Sequence, residues 1–162
     1  MPTRICASCK EKIVIKQKDW KFYHDEVGIV CSKECLVTRI HSFYTDEPKE
    51  VLWYTESPIT NLSISQYSAY SEELDILFRS HFEQRVAEYL THQGFSIRYE
   101  PYCFEFGGQT YTPDFYIKAP YDCFIEVKGV FGVGGKKKMS EFLKNYPDIN
   151  FILVPWTLQG EF

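Results

Sequence analysis

Between Cys123 and Lys128 the chain reads Cys-Phe-Ile-Glu-Val-Lys, an apolar run broken by charge only at Glu126 and Lys128. Such a run predicts a strand, and alternate residues of a strand share a face. Glu126 and Lys128 therefore point one way while Ile125 and Val127 point into the core. Burying two such charges is costly unless something pairs them. Asp114, directly after Pro113, supplies a second acid on a predicted adjacent strand. A hard cation between the carboxylates makes the cost sensible. Oxygen ligands of this kind suit magnesium, or manganese in its place, which keeps water and takes substrate phosphate. The bland alternative is a Glu–Lys pair on an exposed edge strand, with Asp114 in a turn.

The surrounding residues read as one α/β unit over 71–162. Leu74, Leu77, Phe78, Phe82, Val86, Tyr89 and Leu90 recur at helical spacing and predict a helix over 71–93, with a break near Arg79-Ser80. Gly94 caps it. Phe95 to Glu100 alternate as a strand. Gly107-Gly108 marks a hairpin between Cys103–Phe106 and Gln109–Ile117. After the strand Cys123–Lys128 come a glycine-rich loop over 129–135 and a basic helix over 136–146. Ile149–Pro155 is an apolar strand expected to be buried on both faces.

The set formed by Tyr111-Thr112-Pro113-Asp114-Phe115, Phe124-Ile125-Glu126-Val127-Lys128-Gly129, the lysine-rich helix and the apolar strand resembles the PD-(D/E)XK nuclease superfamily. Within it the similarity is greatest to phage endonuclease I-like, Holliday-junction-resolving nucleases, over about residues 79–155. The resemblance implies a restriction-endonuclease-like core of mixed sheet flanked by helices. It also implies a magnesium-dependent DNA endonuclease acting on branched or structured DNA and leaving a 5′-phosphate. Asp114 and Glu126 would hold the ion, with the Val127 carbonyl as a further ligand. Lys128 would orient the attacking water and offset phosphate charge. Two other readings stay open: a sequence-specific or nicking restriction-like nuclease, and a non-catalytic DNA-binding or assembly protein that keeps the fold.

Glu83 is the fourth site candidate, where the family often carries a further metal-binding acid. Its alternative role is a capping box, Ser80-x-x-Glu83, and Glu88 competes as the inward acid. The resemblance also allows this acid to come from a partner subunit, and the small catalytic part suits a homodimer. Lys136, Lys137, Lys138, Lys144, Arg79 and Tyr111, with His81, are candidate phosphate contacts that would hold DNA without reading sequence. A solvated helix face explains the lysines equally well.

Residues 1–41 form a separate expectation. Cys6-x2-Cys9 and Cys31-x3-Cys35 have the paired spacing of a structural zinc site. The second pair opens a predicted helix, which resembles treble-clef fingers. Four thiolates close the coordination shell, so this zinc is expected to be structural. A segment this short needs such a staple. Lys10, Lys12, Lys16, Lys18 and Lys21 alternate with Ile13, Val14, Ile15, Trp20, Phe22 and Tyr23, as in a basic hairpin that holds DNA or an ordinary zinc-ribbon surface; His24 is a substitute ligand that the spacing does not require. Residues 42–70 read as a connector, with Val51–Tyr54 docking on a neighbour. Cys103 and Cys123 stand in apolar runs as core residues.

The net charge of −4 argues against a nucleic-acid partner only if charge were uniform. It is not: residues 1–41 carry +3, 42–75 carry −6 and 76–162 carry −1. No run approaches the ~18 apolar residues of a membrane span, and the start has no apolar leader, so a cytoplasmic location (the host cytoplasm, were it phage-encoded) with reduced thiols is expected.

Overall fold

The computed structural model describes residues 3–14, 28–47, 55–56, 64–128 and 134–162. The expected contacts of Val51–Tyr54, the lysines at 16, 18 and 21, the apolar residues Ile15, Trp20, Phe22 and Tyr23, His24 and most of the glycine-rich loop fall outside these residues.

In chain order the elements are β1 (Thr3–Ile5), β2 (Lys12–Val14), α1 (Lys33–His41), β3 (Thr55–Glu56), β4 (Ala69–Ser71) and β5 (Ile76–Phe78). They continue with α2 (His81–His92), β6 (Ile97–Tyr99), β7 (Tyr102–Phe106), β8 (Gln109–Tyr111), β9 (Phe115–Ile117), β10 (Cys123–Lys128), α3 (Gly135–Asn145) and β11 (Asn150–Pro155), with a 3-10 turn at Trp156–Leu158. The fold is mixed α/β. Its centre is a four-stranded sheet ordered β11-β10-β9-β6. β10 runs parallel to β11 through the α3 crossover, and antiparallel to β9, which is antiparallel to β6.

Both faces of this sheet are covered. On one face Phe115, Ile117, Ile125, Val127, Ile152 and Val154 pack with Phe82, Val86, Ala87 and Leu90 of α2 and with Leu36 and Ile40 of α1. On the other, Tyr116, Phe124, Phe151 and Leu153 pack with Met139 and Phe142 of α3, with the β7–β8 hairpin, and with Cys6, Ile13 and Ile29. The cysteine-bearing segment thus enters both cores. It also covers an edge: Ile29 bridges Leu153 in parallel, and the Leu153 amide donates to the Gly28 carbonyl at 3.1 Å. That bridge protects β11, whose last five residues are buried, from standing as an open edge.

One expected helix is only half present. Residues 71–80 form the β4–β5 hairpin and not the first turns of α2. Asp75 takes the left-handed turn (φ 54°) and the Leu74 amide donates to the Ser71 hydroxyl, so local turn chemistry overrides the apolar spacing. Ser80 then caps α2 by accepting from the Glu83 amide at 3.2 Å. Phe82, Val86 and Leu90 keep the i, i+4, i+8 stripe of a helix lying on a sheet.

Candidate functional site

Asp114, Glu126 and Lys128 meet at the C-terminal end of β10. Phe115 pairs with Ile125 across the antiparallel β9–β10 ladder, so one further step sets Asp114 opposite Glu126. Asp114 Oδ2 accepts from the Val127 amide at 2.6 Å, tying the turn after Pro113 to the strand. Glu126 lies on the Phe124 side of the sheet, the side covered by α3, and is only 1% exposed. Its Oε1 contacts Lys128 Nζ, and its Oε2 is buried with no well-formed hydrogen bond among the described residues. A buried carboxylate oxygen left unpaired is costly. The donor set therefore fits a hard divalent cation, which would satisfy Oε2 together with Asp114.

Electrostatics agree. Burial first, then the Glu126 charge, pushes the Asp114 carboxyl well above the usual carboxylate range, and Lys128 opposes this. Burial pulls the Lys128 ammonium down, but Glu126 and Asp114 outweigh it and hold it above its usual value. Lys128 is a committed cation among acids.

Glu83 is a third acid in the neighbourhood, but among the described residues only the four cysteines group closely enough to share an ion, so its carboxylate stands apart from the Asp114–Glu126 pair. It comes from the first turn of α2 in the same chain and is 8% exposed. Its Oε1 accepts from the Ser80 hydroxyl at 2.8 Å and its Oε2 from the Tyr99 hydroxyl at 2.7 Å. Tyr99 is itself fixed by accepting from the Arg79 amide at 3.0 Å. Burial raises the Glu83 carboxyl, and its charge is felt at both Asp114 and Lys128. Both Glu83 oxygens are thus taken by hydroxyls, and the side chain is not folded back on the Ser80 amide. Glu88 is occupied elsewhere, accepting from Ser71 at 2.7 Å and from Gln84 at 3.0 Å.

The expected phosphate contacts divide. Lys137 is 80% exposed on the first turn of α3, with a loose 3.8 Å pairing to Glu141, and Lys138 follows it. The Lys136 side chain lies outside the described residues. Lys144 sits at the other end of α3, about 10 Å along the axis from Lys137 at 1.5 Å per residue. There it lines a cleft of about 740 Å³ with Lys10, Arg39 and Phe151, away from Lys128. Arg79 is held by Glu100 through Nε at 2.6 Å and Nη2 at 3.0 Å. Tyr111 is 7% exposed and stacks on Phe142 at 4.6 Å, so it is no surface phosphate contact. Its hydroxyl is buried beside Glu126 with no well-formed hydrogen bond among the described residues; burial first, then the Glu126 and Asp114 charges and the contact with Glu126, pushes it well above the usual tyrosine range. Its place is beneath the carboxylates. Its aromatic ring in a strand, read as surface chemistry, concealed that.

The cysteine cluster is built separately. A tight turn between β1 and β2 presents Cys6 and Cys9; it is closed by the Cys6 amide on Glu11 at 2.9 Å and by Lys10 in a left-handed conformation (φ 65°). Ser32 caps α1 by accepting from Cys35 at 3.1 Å, placing Cys31 before the helix and Cys35 in its first turn. The four sulfurs all lie within 4.8 Å of one another, with Cys9–Cys31 and Cys31–Cys35 at 3.5 Å. These spacings exceed a disulfide bond of about 2.05 Å. They approach the roughly 3.8 Å edge of a tetrahedron with Zn–S of about 2.3 Å. Burial raises the Cys6 thiol, but the backbone amides of Cys9 and Ser8 and the neighbouring sulfurs outweigh it and bring it to about 7, while burial and the other sulfurs push the Cys31 thiol up. The cluster suits a metal such as zinc. Among the described residues, no helix is long and apolar enough to cross a membrane.

The family model for phage endonuclease I matches residues 64–157, which include the carboxylate site and exclude the cysteine cluster. A protein named Endodeoxyribonuclease 1 from Enterobacteria phage T3 is 33% identical over 81 residues, covering 48% of this chain and 52% of that relative. The chain thus spans about half the length of the curated relative it matches. No solved structure matches it.

Proposed function

The chain belongs to the phage endonuclease I family, and from that premise we propose that it is a divalent-metal-dependent DNA endonuclease with a PD-(D/E)XK active site. One observation carries the reading: Asp114, Glu126 and Lys128 converge around a buried Glu126 oxygen that has no well-formed hydrogen bond among the described residues.

Asp114 and Glu126, with the Val127 carbonyl, would hold magnesium or manganese, with Glu83 of the same chain as a further acid beside them. Such an ion would supply polarisation of the scissile phosphate and a water of lowered pKa. Lys128 orients that water and offsets the charge that develops on phosphate. Tyr111 steadies the Glu126 carboxylate from beneath. Lys137 and Lys138 hold the DNA backbone. The four cysteines hold a structural zinc, and residues 1–41 serve as a finger that positions DNA. Branched or structured DNA is the preferred substrate, a homodimer the active form and the cytoplasm the working compartment.

The test is a substrate panel. Linear duplex, single-stranded and four-way DNA are incubated with the protein in magnesium and in manganese. The reading expects cleavage of the four-way substrate in preference to the linear one. Cutting linear duplex at a fixed sequence would indicate a restriction-like enzyme. No cutting of any substrate would leave only a binding protein.

A further inference from the structure

Beside the carboxylate site, Glu100 holds a backbone conformation that its residue type does not favour. Its φ is 43°, in the left-handed region. Aspartate and asparagine visit that region with help from a short polar side chain; glutamate does not. Pro101 follows directly, and a residue before proline is pressed towards extended backbone. A non-glycine residue in this conformation persists only when its surroundings over-determine it. Two sets of contacts do so at Glu100.

The first is made by its amide. Tyr99 pairs with Phe115 across the antiparallel β6–β9 ladder, so one further step sets Glu100 opposite Asp114. The Glu100 amide donates to the Asp114 carbonyl at 2.8 Å. Asp114 is thereby tied on both sides, its carbonyl to Glu100 and its carboxylate to the Val127 amide at 2.6 Å. The second is made by its side chain. The Glu100 carboxylate, only 20% exposed, accepts from Arg79 Nε at 2.6 Å and Nη2 at 3.0 Å, a bidentate fork. Arg79 stands between β5 and the Ser80 cap of α2, and its own amide donates to the Tyr99 hydroxyl at 3.0 Å. Single exposed ion pairs contribute little, but a bidentate pair on a fixed base is the exception.

Resting on the nuclease reading above, we propose that the Arg79–Glu100 pair is a clasp that positions Asp114 for its divalent ion. The fork holds Glu100 in the left-handed conformation, and that conformation aims its amide at the Asp114 carbonyl. Without the fork the backbone relaxes to negative φ, the amide turns away, and Asp114 loses one of its two ties. Neither side chain touches ion or phosphate; both are positioning residues. Left-handed backbone at a non-glycine residue shifts a population on the order of tenfold, so losing the clasp lowers metal affinity without collapsing the site. The bland alternative is a pair that only staples the β5–α2 junction to β6. The two part at one substitution: glycine adopts positive φ freely, so it replaces Glu100 where alanine cannot.

Manganese binding to the full chain is measured by electron paramagnetic resonance without DNA, with Asp114→Asn marking the share bound at the carboxylates. Hydrogen exchange of the residue-100 amide is followed by nuclear magnetic resonance in the metal-free chain. Glu100→Ala is expected to weaken manganese binding roughly five- to 30-fold and to speed that exchange. Glu100→Gly should stay within about twofold of wild type on both. Glu100→Gln, which keeps the length of the side chain but not its charge, should fall between alanine and wild type. Arg79→Ala should match Glu100→Ala, and adding Glu100→Gly to it should restore binding. A merely structural pair gives no such rescue, because glycine loosens a strand end more than alanine does. Equal losses for alanine and glycine, no loss for either, or no rescue of Arg79→Ala by Glu100→Gly overturns the proposal. A wild-type chain that binds no manganese at the carboxylates strikes the nuclease reading and the clasp together. Failure of the clasp alone leaves wild-type binding as it is.

Discussion

The cysteine cluster and the carboxylate site are assembled in opposite ways. The cysteine cluster is made from two short local devices, a tight turn and a capped helix start, which bring all four sulfurs within 4.8 Å. The carboxylate site is made from Asp114, just before β9, and from Glu126 and Lys128 on β10, which meet only because the sheet closes. Thiols are weakly polar and gather at small cost, whereas buried carboxylates are costly, and burial together with the neighbouring charge holds the Asp114 carboxyl high while the acids hold Lys128 as a cation.

The sharpest way to break this contrast is to remove the lysine. Lys128→Ala is expected to cut the cleavage rate roughly 10²–10⁴-fold while leaving the fold intact by circular dichroism; an undiminished rate would remove Lys128 from the chemistry. Stripping the other cluster should act on stability. Cys31→Ser is expected to abolish stoichiometric zinc by elemental analysis and to lower the melting temperature of the whole chain. The reason is that Leu36 and Ile40 of α1, both fully buried, share a core with Ile125 and Val127. Leu36→Ala, which leaves the cysteines alone, should cost about 2–5 kcal/mol in denaturant unfolding. If either change melts only a separate N-terminal transition, the two clusters do not share a folding unit.

Two smaller effects sharpen the account of the carboxylate site. Because the folded Asp114 carboxyl is raised above its free value, it keeps a proton to higher pH, and protonation competes with the ion. The magnesium concentration giving half-maximal cleavage should therefore fall as pH rises; a flat dependence would show that Asp114 is not a ligand. Tyr111→Phe carries an opposed pair of signs. Removing a buried hydroxyl that lies beside Glu126 but has no well-formed hydrogen bond among the described residues should leave stability unchanged or raise it by about 1 kcal/mol, while metal binding weakens a few-fold, about 1 kcal/mol. Lowered stability with unaltered metal affinity would make Tyr111 a packing residue only.

Much of this was legible from residues alone. The strand at 123–128, the hairpin at Gly107-Gly108, the basic helix and the doubly buried last strand all follow from period, turn residues and apolar runs, which act over a few neighbours. The clustering of the cysteines follows from spacing and a capping serine. The helix expected over 71–80 did not form, because Leu74, Leu77 and Phe78 satisfy two periodicities and the turn chemistry at Ser71 and Asp75 decides between them.

Sequence by itself determined that Glu126 and Lys128 share a face and that Asp114 needs a partner, since alternation along a strand and the cost of burying charge are local facts. Only the tertiary structure decided that both Glu83 oxygens are taken by Ser80 and Tyr99, that Tyr111 lies beside the carboxylates, and that Lys144 belongs to a separate cleft. Those outcomes depend on strand order and on which helix covers which face. The energy that selects them comes from contacts between residues far apart in the chain, and no local pattern records it.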